Sequence, residues 1–294
     1  MNFLNWFWPK PRHPTQLVRP GPLPINLDGS LQNPAWSPDG TKIVFTRFRN
    51  GYNKGPAEIW IYDCVTGDNA CVIRNGGDNV SQPGSTWCAK TNDIIFSSDV
   101  GDTDQIYSIK PDGTGQQKLI SDKGCYEPSW APDGTAFVLE AHPTTRSGQI
   151  VIVAHQRREP ITAQSDDCRQ PNWSPTGRHI VYQRNSGGAW QLYLYDDLAK
   201  TTKCITDGLS GDKTDATFSP DGQRILYSGE RQGGGGDGLL ALPIAGGKPI
   251  AVPHAPGYYG AASWSPDGQF IAAETSWSDP DGGPGTKLEI ARAP

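Results

Sequence analysis

One heptapeptide recurs along this chain and restricts its fold more than any other feature. Pro34-Ala35-Trp36-Ser37-Pro38-Asp39-Gly40, followed by Lys42-Ile43-Val44-Phe45, returns as Pro128-Ser129-Trp130-Ala131-Pro132-Asp133-Gly134 before Phe137-Val138-Leu139. It returns again as Pro171-Asn172-Trp173-Ser174-Pro175-Thr176-Gly177 before Ile180-Val181-Tyr182. Thr217-Phe218-Ser219-Pro220-Asp221-Gly222, Ser263-Trp264-Ser265-Pro266-Asp267-Gly268 and a degenerate copy at Thr86-Trp87 bring the total to six. The anchoring aromatics Trp36, Trp87, Trp130, Trp173, Phe218 and Trp264 are 51, 43, 43, 45 and 46 residues apart. A period of about 40 to 50 belongs to propeller blades.

Each copy reads as β structure. In Ser-Pro-Asp-Gly the proline presets φ, the aspartate caps the local backbone and the glycine takes the left-handed position, so the tetrapeptide is a turn between two strands. A third strand follows each polar loop, as in Ile59-Trp60-Ile61-Tyr62 or Leu192-Tyr193-Leu194-Tyr195, and a short fourth follows a second turn, as in Gln117-Lys118-Leu119-Ile120. Composition agrees: 35 Gly, 26 Pro and a single Met oppose a helical bundle, while 10 Trp, 10 Tyr and 8 Phe can fill a large core. The expected fold is all-β, a six-bladed β-propeller of four-stranded antiparallel blades.

Only 30 residues follow Trp264, too few for a fourth strand in the last blade. Leu23-Pro24-Ile25-Asn26-Leu27 lies about ten residues ahead of Trp36, the lead that a fourth strand has on the next repeat. An N-terminal strand is therefore expected to close the ring, which leaves no open edge. The organisation so read is an N-terminal extension over 1–22 and a propeller over 23–294.

The Pro-x-Trp-Ser-Pro-Asp-Gly pattern, with the Ile-Tyr strand and Asp-Gly turn of Gln105-Ile106-Tyr107-Ser108-Ile109-Lys110-Pro111-Asp112-Gly113, resembles the TolB-like or WD40-like (PD40) propeller repeat. The resemblance covers residues 23–294 and implies the fold. Such repeats occur in non-enzymatic periplasmic partner-binding proteins, in the propeller domains of prolyl-oligopeptidase-type peptidases and in some polysaccharide lyases. The Gly-His and Trp-Asp dipeptides of true WD40 blades are absent from this sequence.

Several classes of chemistry lack their residues. With 26 Lys plus Arg against 31 Asp plus Glu the net charge is −5, so no global basic field invites nucleic acid. The longest apolar runs are strand-sized, so no membrane span is expected. The N-terminus has no basic region ahead of its apolar stretch and no small-residue cleavage site, which implies a cytoplasmic protein if Met1 is the native start. If a signal peptide was removed, it implies a periplasmic or secreted one. The six cysteines form no C-x-x-C pair; Cys64 and Cys71 flank a turn and read either as a hairpin bridge or as free thiols. Asp99, Asp102 and Asp104 resemble part of a calcium loop but lack its Gly and downstream Glu. The run Gly233-Gly234-Gly235-Gly236 lacks the Lys-Ser/Thr of a phosphate loop, no Gly-x-Ser-x-Gly elbow occurs, and the five histidines have no metal spacing. No metal or cofactor is implied, and the chain is expected to be a monomer.

The candidate site is positional. Loops that leave the second strand of each blade and segments that enter the first share one face, around the channel mouth, and such loops carry function. Asn33, Gln82, Glu127, Gln170, Asp215 and the Tyr258-Tyr259 pair lead into first strands; Arg47, Ser98, His142, Arg184, Glu230 and Thr275 leave second strands. The loops after Phe45 and Ala273 are the longest, with 13 and 14 residues against 9 to 11 elsewhere, and ring closure makes them neighbours. One carries Arg47, Arg49, Tyr52 and Lys54; the other carries Glu274, Trp277, Asp279 and Asp281. Two readings follow: a non-catalytic propeller that binds a protein or peptide at the mouth, or a carbohydrate-active lyase on uronic-acid glycans. In the second, Arg47 or Arg184 would pair the carboxylate and His142 or Tyr259 would move the proton.

Overall fold

The computed structural model describes residues 18–81, 86–100, 103–120, 122–144, 147–230, 237–254, 257–278 and 284–294. Six four-stranded antiparallel sheets stand in a ring. Blade three shows the pattern: an inner strand Cys125–Trp130, then Ala136–Thr144, Ser147–Ala154 and an outer strand Arg157–Pro160. The expected six-bladed β-propeller is what the chain forms. No described residue is helical, so no helix is long and apolar enough to cross a membrane.

The repeated turn is built as its residues dictate. In Ser37-Pro38-Asp39-Gly40 the Ser37 hydroxyl donates to Asp39 at 2.6 Å, the Lys42 amide donates back to Ser37 Oγ at 2.9 Å, and Gly40 has φ +72°. The same serine and aspartate contacts recur at 219–224 and 265–270. The anchoring aromatics pack between blades: Trp173 is 6% exposed and shares a core with Val138, Ile150 and Ile152 of the preceding blade. Strand faces on both sides are thereby buried, which is why the second strands read as unbroken apolar runs.

The ring closes between the chain's two ends. Gly21–Pro22 pairs antiparallel with Pro284–Arg292, in the register Gly21↔Ile290 and Pro22↔Glu289, and the Leu23 amide donates to Leu288 O at 2.9 Å. The pairing residues lie just ahead of the expected segment. Leu23 to Leu27 instead turn inward, with Ile25 buried against Leu31, Phe45 and Leu288. Val18 is buried too, against Trp36, Ile43 and Phe270. Blades six and one are also joined by the Thr286 hydroxyl donating to Leu31 O at 2.6 Å and Lys287 Nζ donating to Leu27 O at 2.6 Å.

All six cysteines are free thiols. Burial pushes the Cys64 thiol up to about 12, and Cys71 is raised by the same cause, so neither is an activated nucleophile.

Two stability outcomes follow from this packing. Deleting residues 1–17 leaves the closure in place, whereas deleting through Leu23 removes Val18, the Gly21–Pro22 pairing and the Leu23 hydrogen bond. Burial of one such apolar side chain is worth about 1.5 to 3 kcal/mol, so the longer deletion lowers the urea midpoint clearly below that of the shorter, and equal midpoints contradict the closure. Trp173→Ala leaves a cavity between blades three and four and costs about 3 to 5 kcal/mol by chemical denaturation.

Candidate functional site at the channel mouth

The residues expected to lead into first strands sit inside them. Each described inner strand but that of blade two carries a bulge, where two residues face one on the neighbouring strand. The first bulge residue is left-handed every time: Asn33 (φ 52°), Glu127 (47°), Gln170 (50°), Asp215 (55°) and Ala261 (39°). A non-glycine residue there costs about 1 to 3 kcal/mol and persists only where its surroundings hold it. Three of these residues precede proline, which further opposes helical φ/ψ. Ala261, not the Tyr258-Tyr259 pair, is the counterpart in blade six. Gln82, its counterpart in blade two, lies outside the described residues. The five side chains border one narrow cavity of about 20 Å³ in the channel.

Part of the restraint comes from the neighbouring blade. Opposite the residue before each of these five bulges, the second strand carries a buried polar residue, Thr46, Glu140, Gln183, Ser228 or Glu274; in blade two Ser97, opposite Ser81, is buried as well. Glu140 Oε2 accepts the amide of Gln170 in the next blade at 3.1 Å, and Glu274 Oε2 accepts the amide of Asn33 across the ring closure at 3.3 Å. Gln170 and Asp215 are tied in turn, the Gln170 amide group donating to Asp215 Oδ1 at 2.9 Å and the Asp215 backbone amide donating to Gln170 Oε1 at 3.2 Å. These hydrogen bonds form a belt that joins blade three to four, four to five, and six to one.

Glu274 is the most constrained carboxyl in it. It is 2% exposed, and its Oε1 accepts the hydroxyl of Tyr258 at 2.9 Å and that of Tyr52 at 3.4 Å. Burial first, and then the charge of Asp215, push its carboxyl up to about 7 against the hydrogen bonds that lower it. Burial likewise raises Tyr258 and takes Tyr52 up to about 12, so both phenols are donors at neutral pH. Gly260 makes room for this: a Cβ there would stand 2.1 Å from the Tyr258 hydroxyl. A second group lies between blades two and three. His142 Nε2 contacts Glu140 Oε1 and its ring meets Tyr126 edge-on at 5.0 Å, while burial and the neighbouring Asp99 push Asp104 up to about 6.

The expected cations are engaged elsewhere. Arg47 donates from Nε to Asp28 O at 2.8 Å and from Nη1 to Glu58 at 3.0 Å, with Trp60 donating to the same carboxylate at 2.7 Å. Arg184 is paired with Asp166 at 3.0 Å and lies over Tyr193. Arg49 is exposed on the loop. Tyr259 is 2% exposed and donates to Glu289 at 2.8 Å, so its hydroxyl is turned to a structural partner. The blade-one loop reaches blade six through Tyr52 on Glu274, which lies within the strand Phe270–Ser278 and not on a loop. The Trp277 side chain, and Asp279 and Asp281 entirely, lie outside the described residues, as do Asp102 and Gly233 to Gly236. Asp99 and Asp104 bind the backbone and side-chain amides of Asn79 at 3.0 and 3.1 Å, and no group of three metal-ligating side chains is formed among the described residues.

The comparisons agree with this architecture. Residues 144–279 match the family model described as the TolB beta propeller domain. The chain is a six-bladed propeller built of TolB-like repeats, as its heptapeptides predict. Uncharacterized peptidase YuxL of Bacillus subtilis is 26% identical over 210 residues, 68% of this chain and 29% of that protein. The chain spans less than a third of the curated relatives it matches. Among solved structures, TolB from Acinetobacter baumannii superposes with TM-score 0.68 at 20% identity, over 86% of this chain and 64% of that one. An oligogalacturonate lyase from Vibrio parahaemolyticus superposes with TM-score 0.56 at 10% identity, over 95% and 93%. At such identities these likenesses show the fold alone.

The Glu274 environment has a pH signature. Its folded value of about 7 stands above an ordinary 4.5. The folded state then holds a proton that the unfolded chain releases, and stability falls as pH rises through that window, by about 3 kcal/mol in all. Glu274→Gln removes this slope between about pH 4.5 and 7, leaving the smaller fall due to Asp104; denaturation midpoints measured across pH check it.

Proposed function

We propose that this propeller is a non-catalytic binding module that holds a protein or peptide partner on its channel-mouth face. The belt favours a cationic, hydrogen-bond-donating group of the partner, such as a lysine or arginine side chain. One observation carries the reading. Glu127 and Asp215 border the cavity beside the amides of Asn33 and Gln170, with the buried Glu140 and Glu274 behind them, while Arg47 and Arg184 are occupied by Glu58 and Asp166. A carboxylate field in which Arg47 and Arg184 are already neutralised by their own partners attracts a cation and repels an anion. The hydrogen-bonded, strained bulges hold these groups in place, so little ordering cost remains at binding.

The same observation weighs against the lyase reading. A uronic-acid substrate would bring its carboxylate to the belt, and the arginines that reading needs are paired. Tyr259 is turned away to Glu289, and His142 is held on Glu140.

A peptide array that varies one position among Lys, Arg, Gln and Glu in a common background tests the proposal. Lys or Arg peptides bind preferentially, binding weakens with added salt, and Glu127→Gln/Asp215→Asn lowers affinity at least tenfold, about 1.4 kcal/mol, without shifting the thermal midpoint by more than a degree or two. Preference for Glu peptides, or formation of an unsaturated product from oligogalacturonate, overturns it.

A further inference from the structure

The channel holds two small spaces, about 20 Å³ at the bulges and about 100 Å³ among the anchoring aromatics and prolines of the turn end. A roomier groove of about 340 Å³ lies away from the channel, at the turn end of the seam between blades four and five. No inner-strand residue lines it. Its walls come from the outer three strands of blade four, His179–Ser186, Ala189–Asp196 and Thr201–Cys204, and from Ile244 and Ala245, which follow the third strand of blade five.

Strand register sets the chemistry of the groove. Residues directly opposite each other in antiparallel strands share a face, so His179, Asp196 and Thr201 form one row and Val181, Leu194 and Lys203 the next. That face packs on blade five, where Val181 and Leu194 are buried with Leu242 and touch Ile244. The acidic groups beside the groove are already matched. Asp196 Oδ2 accepts from Nε and Nη2 of Arg178 at 3.0 and 2.7 Å and has His179 Nε2 at 3.6 Å, while its Oδ1 accepts the amides of Leu198 and Ala199. Asp197 is paired with Lys200 at 2.8 Å. Burial, aided by Arg178 and Lys203 and opposed by Asp196, holds His179 below its ordinary range, so its ring is neutral at pH 7. Lys203 is exposed and forms no ion pair among the described residues, which leaves the groove one uncompensated positive charge. The repeat does not account for this set: in blade one the positions of His179 and Asp196 hold Lys42 and Asp63, which pair directly.

We infer that this groove binds a small organic monocarboxylate, its apolar body against Leu194 and Ile244 and its carboxylate at the Lys203 ammonium and the Thr201 hydroxyl. Apolar walls with a few convergent polar groups are the usual make-up of a small-molecule site. A cavity of about 150 Å³ takes up benzene, so this one has room for a ring or branched chain together with its head group. A single positive charge suits a monoanion; the second charge of a phosphate ester would stand unmatched beside Asp196. The groove lies on the periphery of the ring, apart from the channel mouth and its proposed partner.

The test titrates the isotopically labelled full chain with hydrocinnamate and follows its backbone amide resonances. Saturable shifts are expected at Thr201 to Cys204 and Ile244 to Gly247, and none at the bulge residues of the mouth. The neutral hydrocinnamamide and the cationic phenylpropylamine bind more weakly by about fivefold or more, and acetate, which lacks the apolar body, gives no saturable shift. In Lys203→Glu, a substitution at an exposed position that leaves the thermal midpoint in place, the amine binds more tightly than the carboxylate. A lack of saturable shifts in the groove, shifts confined to the mouth, equal affinity for hydrocinnamate and its amide, or an unchanged order of the two charged probes in Lys203→Glu overturns the inference.

Discussion

No blade of this protein can bury both of its faces by itself, and the ring must close before any of them is satisfied. Closure falls on the pair of blades that the chain reaches last and first. There the backbone pairing of Gly21–Pro22 with Pro284–Arg292 is backed by the hydroxyl of Thr286 on Leu31 and by the ammonium of Lys287 on Leu27. A repeat array with an open end would leave the faces that bury Ile43, Ala272 and Ile290 in contact with water. Closing it turns nearest-neighbour packing into a cycle in which every blade has two neighbours.

The cycle also makes a site from parts that no blade contains. Glu140 and Glu274 act on the next blade, where they accept the amides of left-handed bulge residues and so aim Gln170 and Asn33. The strain at three of the left-handed residues, Asn33, Gln170 and Asp215, is held by hydrogen bonds across blade boundaries. Strain repeated at one position in five blades marks that ring as a place where geometry matters, whereas the left-handed residues at the turn end, Asn92, His155, Gln156 and Lys200, lie scattered between strands. The turn end has the reverse character, with aromatic edges, prolines and satisfied local turns.

The two ends divide the chemistry of the channel. At the mouth, carboxylates crowd closely enough that Glu274 and Asp104 are pushed up by burial and by their acidic neighbours. At the turns, Asp39 and Asp221 are held below the ordinary carboxylate range by their serine and backbone donors, although burial opposes this. The same residue type is thus a tension in one place and a cap in the other, and the donors within reach decide which.

The fold was legible because it is written in local chemistry that repeats. Pro38, Asp39 and Gly40 make a turn from their own dihedral preferences, Trp36 anchors the strand before it, and six copies at one spacing leave a propeller as the consistent solution. Even the role of the N-terminal strand in closure could be counted from the residues after Trp264, though not the pairing of Gly21 and Pro22 in place of Leu23 to Leu27. The site was legible only as a set of positions. Asn33, Glu127, Gln170 and Asp215 stand three residues before each anchor, but their left-handed bulges arise from register with another strand, which pattern alone does not set. That Arg47 and Arg184 are spoken for, that Tyr259 turns to Glu289, and that Tyr52 and Tyr258 converge on Glu274 depends on contacts between distant residues and adjacent blades. Such contacts exist only once the ring is closed. Local turn and strand preferences thus determined the architecture from the sequence by itself, while the charge, protonation and availability of the channel groups were decided by tertiary structure.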